Sequence, residues 1–212
     1  MACGSRCDYN EAVTEVRTET MASRRARFEK LAMPVVDALY RQAMKLTNDP
    51  DEMIELAREV RPDILHIAGD GYAADEAFAA RLKEAAPNTK LMQAVLVDDE
   101  SAVDRAKKYA QYCDLILTDS GLAPDTGIGA SGLTHDWSID ARIVAECGKP
   151  VIMAGGLGPD NVAEAIEQCK PYGVDSLTKT SIKYDGGYME KDIDKVRQFC
   201  INADAAAAKI GQ

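Results

Sequence analysis

From about residue 42 onward the chain alternates short apolar runs with stretches of helical spacing, a pattern that few folds accept. The runs cover 42–46, 63–68, 91–97, 114–118, 150–154 and 173–178, each bounded by polar or Gly/Pro punctuation. Near-continuous apolarity over so few residues marks strands buried on both faces, as in parallel sheets clothed by helices. Repeated β-α units therefore predict an α/β fold, either an open doubly wound sheet or most of an eight-stranded barrel. Two features favour a (β/α)8 TIM barrel of the phosphate-binding type. No Gly-rich dinucleotide fingerprint follows an early strand, and the Gly-rich turns cluster late, where barrels build phosphate sites.

Helix signals fill the intervals. Asp49 is placed to cap a first helix, with Pro50 at its first position, Glu52 closing a capping box, and Met53, Leu56, Ala57 and Val60 facing inward. Ser101 and Ser138 are expected to open two more, with Gly148 ending the second. After Pro159, Val162, Ala165, Ile166 and Cys169 repeat at helical spacing. A last helix presents Ile193, Val196, Phe199 and Cys200 inward, before an Ala-rich tail at 205–208 that should fray. Residues 1–41 read as an irregular segment with at most one strand (12–18) and one helix (23–42). Residues 42–212 then supply barrel units three to eight of a single domain, behind an irregular or incomplete first unit.

The charge balance is 25 Lys+Arg against 35 Asp+Glu, a net of −10, with no basic stripe to attract nucleic acid. A small anionic substrate must then be held by local donors such as backbone amides at helix N-termini. No run approaches the roughly 18 apolar residues of a membrane span, and the first ten residues lack the apolar core of a secretory signal. A cytoplasmic protein without nucleic-acid or membrane partners is expected. Six cysteines without a C-x-x-C, beside two histidines, argue against a disulfide framework and a zinc site. Cys169 and Cys200 fall in apolar helical patterns and read as buried thiols.

Three segments can carry chemistry. The irregular stretch 119–136 holds Gly121, Gly127, Gly129 and Gly132 and ends in His135-Asp136-Trp137 before a helix. Asp136 is either a cap of that helix or a general acid at a barrel mouth, with Trp137 packed to hold it. Gly155 and Gly156 follow a buried strand and precede a helix, so their backbone N–H groups are placed to approach an anion; the plain alternative is a tight turn requiring positive φ. Beyond the last strand, Lys179 and Thr180 are placed to complete a phosphate cradle. Asp175 lies within that strand, and an inward carboxylate there needs a partner or a substrate.

Together GASGLTHDW (129–137), PVIMAGGLGPDNVAEAI (150–166) and the segment GVDSLTKT to VRQF (173–199) resemble phosphoribosylanthranilate isomerases. The likeness extends through RPDILHIAGD (61–70) and DLILTDS (114–120). It implies a (β/α)8 barrel of tryptophan biosynthesis that performs an Amadori rearrangement on a phosphorylated aminosugar. A general acid opens the furanose of an aminoaldose 5-phosphate bearing anthranilate. A base then removes the C2 proton, and the enolamine tautomerises to a 1-amino-1-deoxyketose. No redox or metal cofactor is implied.

Transferred by motif, Asp136 takes the acid's position, Gly155, Gly156 and the turn bearing Lys179 and Thr180 hold the phosphate, and Asp175 lies near the anthranilate ring. Gly132 falls in the substrate-binding loop. The family's Lys-x-Cys-Gly, whose Cys is the base, has Met1-Ala2-Cys3-Gly4 as its counterpart, so Cys3 takes that role with a thiol whose pKa must be lowered. Its Gln-Leu-His-Gly becomes His66-Ile67-Ala68-Gly69, placing His66 where it can touch substrate. Its Ser-Ser-Gly becomes Leu177-Thr178-Lys179, moving the cradle from backbone amides towards side chains. Two alternatives follow from these departures: a paralogue acting on another sugar phosphate, and a non-catalytic barrel binding a phosphorylated metabolite. The assembly is expected to be a monomer or a homodimer, because open strand edges tend to be covered.

Overall fold

A computed structural model describes residues 49–68, 72–120, 135–184 and 189–211. Five parallel strands, β1 (Ile64–Ile67), β2 (Lys90–Val97), β3 (Leu115–Ser120), β4 (Val151–Met153) and β5 (Gly173–Val174), lie side by side in chain order. Parallel neighbours in unbroken order are consecutive staves of a barrel; a doubly wound sheet reverses order at a switch point. Helix α1 (Pro50–Val60) precedes β1, and α2 (Glu76–Ala85), α3 (Ser101–Tyr109), α4 (Trp137–Glu146) and α5 (Val162–Cys169) make the crossovers. A 3-10 turn at Thr178–Thr180 and an antiparallel pair, β6 (Ser181–Lys183) and β7 (Met189–Lys191), lead into α6 (Ile193–Lys209). The strands expected at 12–18 and 42–46, the helix expected at 23–42, and Cys3 and Gly132 lie outside the described residues.

Register divides the sheet into two faces. Leu91, Val95, Ile116 and Val151 pack outward against the helices, in one cluster with Phe78, Leu82, Val103, Ala106 and Ile143. Met92, Ala94, Leu115, Leu117 and Ala154 form a separate cluster on the opposite, inner face. Residues two apart share a face. Asp119 therefore continues the inner row of Leu115 and Leu117, while Thr118 and Ser120 point to the helix layer with Ile116.

Several local details differ from the sequence expectation. The inward face of α1 is Ile54 and Ala57, and Val60 is exposed, although Asp49 does cap the helix through Asp51 N and Glu52 N. Helix α2, for which no boundary was derived from the sequence, begins at an Asp75 cap. In α3 the carboxylate of Asp99 accepts from Ser101 N, so Ser101 lies inside the helix. On α6 only Phe199 and Ala206 are buried; Ile193 and Cys200 are exposed, because the helix packs through one narrow stripe against α5. That same contact at Ala206 keeps the Ala-rich end helical. Cys169 is buried as expected, and burial pushes its thiol up to about 12.

Candidate active site

The turn after β4 is built for close approach. Gly155 and Gly156 have φ of 90° and 64°, a left-handed conformation in succession that L side chains rarely adopt. A Cβ on Gly155 would stand 2.7 Å from Ser120 N and 3.1 Å from His135 Cε1, so space as well as dihedral angle demands glycine. Asn161 holds the turn from the far side, accepting from Gly158 N at 2.8 Å and donating to Gly156 O at 3.1 Å. Ser176 Oγ donates to Leu157 O at 2.6 Å, which ties the turn to the segment after β5. Lys179 lies across Gly158, where an added Cβ would come within 2.7 Å of its own Cβ.

Asp119, Gly155, Gly156, Asp175, Thr178 and Lys179 border one small cleft at the C-terminal ends of β3, β4 and β5. Thr118 pairs with Met153 and Met153 with Val174, so the next residues, Asp119, Ala154 and Asp175, form a row across the sheet. The ladder continues into that row through Ala154 N to Thr118 O and Asp175 N to Met153 O. Ala154 puts only a methyl group between the two carboxylates of that row. Burial raises the pKa of Asp119 and the charge of Asp175 adds to it, against a Ser120 N–H at 2.7 Å and the nearby His135, which both lower it. His66 aligns with Met92 on the inner face; desolvation lowers its pKa while Asp175 raises it.

Asp136 sits elsewhere. It is exposed, it forms the N-cap of α4, and its Oδ1 accepts from Ser138 N at 2.9 Å. Those hydrogen bonds hold its carboxyl below the usual carboxylate range. Of the two readings the sequence left open, the cap is thus the one the hydrogen bonds describe, and Ser138 lies inside the helix rather than opening it. Thr180 is also not on the cleft. Its Oγ1 donates to the carbonyls of Ser176 and Leu177 at 3.2 Å and accepts from Lys191 Nζ at 2.9 Å, bracing the turn from behind. Among the described residues no group of three His, Cys, Asp or Glu side chains is arranged to hold a metal ion.

A family model described as N-(5'phosphoribosyl)anthranilate (PRA) isomerase matches residues 9–202. The chain belongs to the phosphoribosylanthranilate isomerase family. A relative from Haloferax volcanii, named N-(5'-phosphoribosyl)anthranilate isomerase, is 39% identical over 160 residues, covering 76% of this chain and 66% of its own. One of the same name from Halobacterium salinarum is 31% identical over 92% of this chain and 81% of its own. The chain thus spans about two thirds of the length of the first relatives it matches. A phosphoribosylanthranilate isomerase structure from Thermotoga maritima superposes with a TM-score of 0.57 at 26% identity, over 74% of this chain and 68% of that one. Membership in this barrel family fixes the fold class and makes the described sheet five of its staves.

Asp119 borders the cleft but is not among the candidates the sequence offered. Its signal was the alternation in LILTDS: a carboxylate in phase with Leu115 and Leu117, at the C-terminal end of a buried strand, stands where barrels carry their reactive groups. Reading Asp119 as the first residue of the following loop hid that phase.

Proposed function

We propose that the chain catalyses the Amadori rearrangement of N-(5'-phosphoribosyl)anthranilate, with Asp119 rather than Asp136 as the general acid. The observation that carries this reading is the cleft joining Asp119 to the Gly155-Gly156 turn and Lys179. A carboxyl kept neutral further up the pH scale is suited to protonate the furanose oxygen. As that C1–O bond breaks, the anilino nitrogen lone pair forms the Schiff base. Loss of the C2 proton then gives the enolamine, which tautomerises to the ketone. Backbone amides of the glycine turn and the Lys179 ammonium hold the phosphate, while Asp175 and His66 border the anthranilate end. Cys3 keeps the base's role by motif alone. The reaction needs no metal or redox cofactor in this scheme, and we place it in the cytoplasm.

The test is loss of the aminoaldose's fluorescence, compared between two single substitutions. Asp119→Asn is expected to lower kcat by roughly 10²–10⁴, the usual contribution of a positioned acid. Asp136→Asn should leave kcat within about twofold, because Asn caps a helix as well as Asp. The opposite pattern returns the acid role to Asp136, and a wild type without turnover removes the isomerase reading.

A further inference from the structure

Directly behind Asp119, on the helix-facing side of β3, runs a buried polar chain that the reaction does not touch. Thr118 Oγ1 donates to one oxygen of Asp140, and His135 Nε2 meets the other. His135 Nδ1 then reaches Ser120 Oγ at 3.0 Å. Asp140 has no exposed surface, and the His135 side chain is 8% exposed. Nε2 faces the Asp140 carboxylate and Nδ1 faces the Ser120 hydroxyl, a group that can donate to a ring nitrogen or accept from one, so both ring nitrogens are engaged. A carboxylate so deep within the helix layer is retained only when its partners satisfy it.

The order Ser, His, Asp is that of a hydrolytic triad, but the geometry refuses that use. Ser120 is 3% exposed, and Gly155 packs so closely on it that even a methyl group there would collide. No acyl carbon reaches Ser120 Oγ. What the chain does touch is both halves of the cleft. The Ser120 N–H donates to Asp119 Oδ1, and Ser120 with His135 forms the wall against which Gly155 lies.

We infer that His135 is a positioning residue: anchored by Asp140, it pins Ser120 and so fixes the Asp119 carboxyl and the Gly155 turn at their working separation. The device depends on two neighbouring strand residues facing opposite ways, Ser120 into the helix layer and Asp119 into the barrel. Fixing one orients the other through a single peptide unit. Misplacing a reacting group by about 1 Å is enough to lose roughly a hundredfold in rate.

This inference rests on the isomerase reading, so its test carries a readout independent of turnover. In the full-length chain, His135→Phe keeps a ring but neither hydrogen bond. It is expected to lower kcat about 10–100-fold and to weaken binding of the probe ribose 5-phosphate, at temperatures where circular dichroism shows the variant folded. His135→Gln, able to donate to Asp140 and accept from Ser120, should recover most of both losses. A folded His135→Phe with wild-type kcat and wild-type ribose 5-phosphate affinity overturns the inference, since a purely structural residue would shift only the melting temperature. Should His135→Phe fail to fold, Ser120→Ala removes the last link while keeping the His135–Asp140 pair, and unchanged kcat and affinity there overturn it equally. If the wild type binds ribose 5-phosphate but turns over no aminoaldose, the isomerase reading falls and the binding arm alone decides for or against His135. A wild type that does neither overturns both.

Discussion

Asp119 and Asp136 flank the same glycine-rich stretch, one closing a buried strand and the other opening a helix. Asp119 is half-buried and lies near the charge of Asp175, so its charged form is penalised. Asp136 is open to water and accepts an N–H from the first turn of α4, so its charged form is favoured. A proton donor must hold its proton near the working pH; a cap must not. Residue type and loop position are shared by the two, and strand phase is what separates them.

Their opposite shifts give opposite pH signatures, and the largest expected effect lies with Asp119. Because its folded-state pKa is raised, its contribution to stability is full below the unfolded carboxylate value of about 3.9 and is lost as pH rises through the folded value. Asp119→Asn should therefore lose kcat by roughly 10²–10⁴ and yet melt higher than wild type at neutral pH. That gain should vanish on acidification to about pH 3. A catalytic loss paired with a lower melting temperature at neutral pH would instead make Asp119 a structural group.

Glycines sharpen the same contrast between cleft and periphery. Gly155 and Gly148 both have positive φ, 90° and 74°, but only Gly155 has neighbours: nothing lies within 4 Å of a Cβ on Gly148. Gly148→Ala should cost about 1–2 kcal/mol, the penalty of the left-handed conformation alone. Gly155→Ala adds overpacking against the Ser120 backbone, about 1–3 kcal/mol more. Urea denaturation of the two variants reads the difference, and equal losses would mean the turn relaxes freely.

Lys179 comes next. If it holds phosphate, Lys179→Ala should weaken ribose 5-phosphate binding by about 1.5–3 kcal/mol, the range for a charge-assisted hydrogen bond. Calorimetric titration measures this directly. Unchanged affinity would reduce Lys179 to its packing against Gly158.

How much of this was legible follows from what each signal depends on. The five parallel strands all overlap expected apolar runs, although β2 starts one residue earlier at Lys90 and β3 ends two later at Ser120, because a strand buried on both faces declares itself by composition and its polar ends do not. The inward face of α5, Val162, Ala165, Ile166 and Cys169, was likewise readable, since helix and sheet cover it on both sides. Helix α6 misled, because Ile193 and Cys200 keep the spacing without a neighbour to cover them. At the site, the glycine pair was visible by its local chemistry. Thr180 was misplaced because hydroxyls that bond carbonyls and those that bond ligands look alike in sequence. The Asp140–His135 pair was invisible for a different reason. A charged residue inside a helix normally signals a solvated face, and only the tertiary meeting of α4 with β3 turns it inward.

The smallest effect tests the other end of the comparison. Asp136→Ala removes the side-chain acceptor for Ser138 N and the negative charge at the start of α4, at a position that is not among the described residues bordering the cleft. The melting temperature should fall by about 2–4 °C at neutral pH, as for loss of an ordinary cap in a chain of this size. Because the folded-state pKa of Asp136 is depressed, its contribution is present above the unfolded carboxylate value and is lost as pH falls through the folded one. The gap between wild type and variant should therefore narrow in acid, just where the advantage of Asp119→Asn disappears from the other side. Asp136→Asn, which keeps the acceptor, should melt close to wild type throughout. Were Asp136→Ala instead to abolish turnover while melting like wild type, the two carboxylates would have to exchange roles.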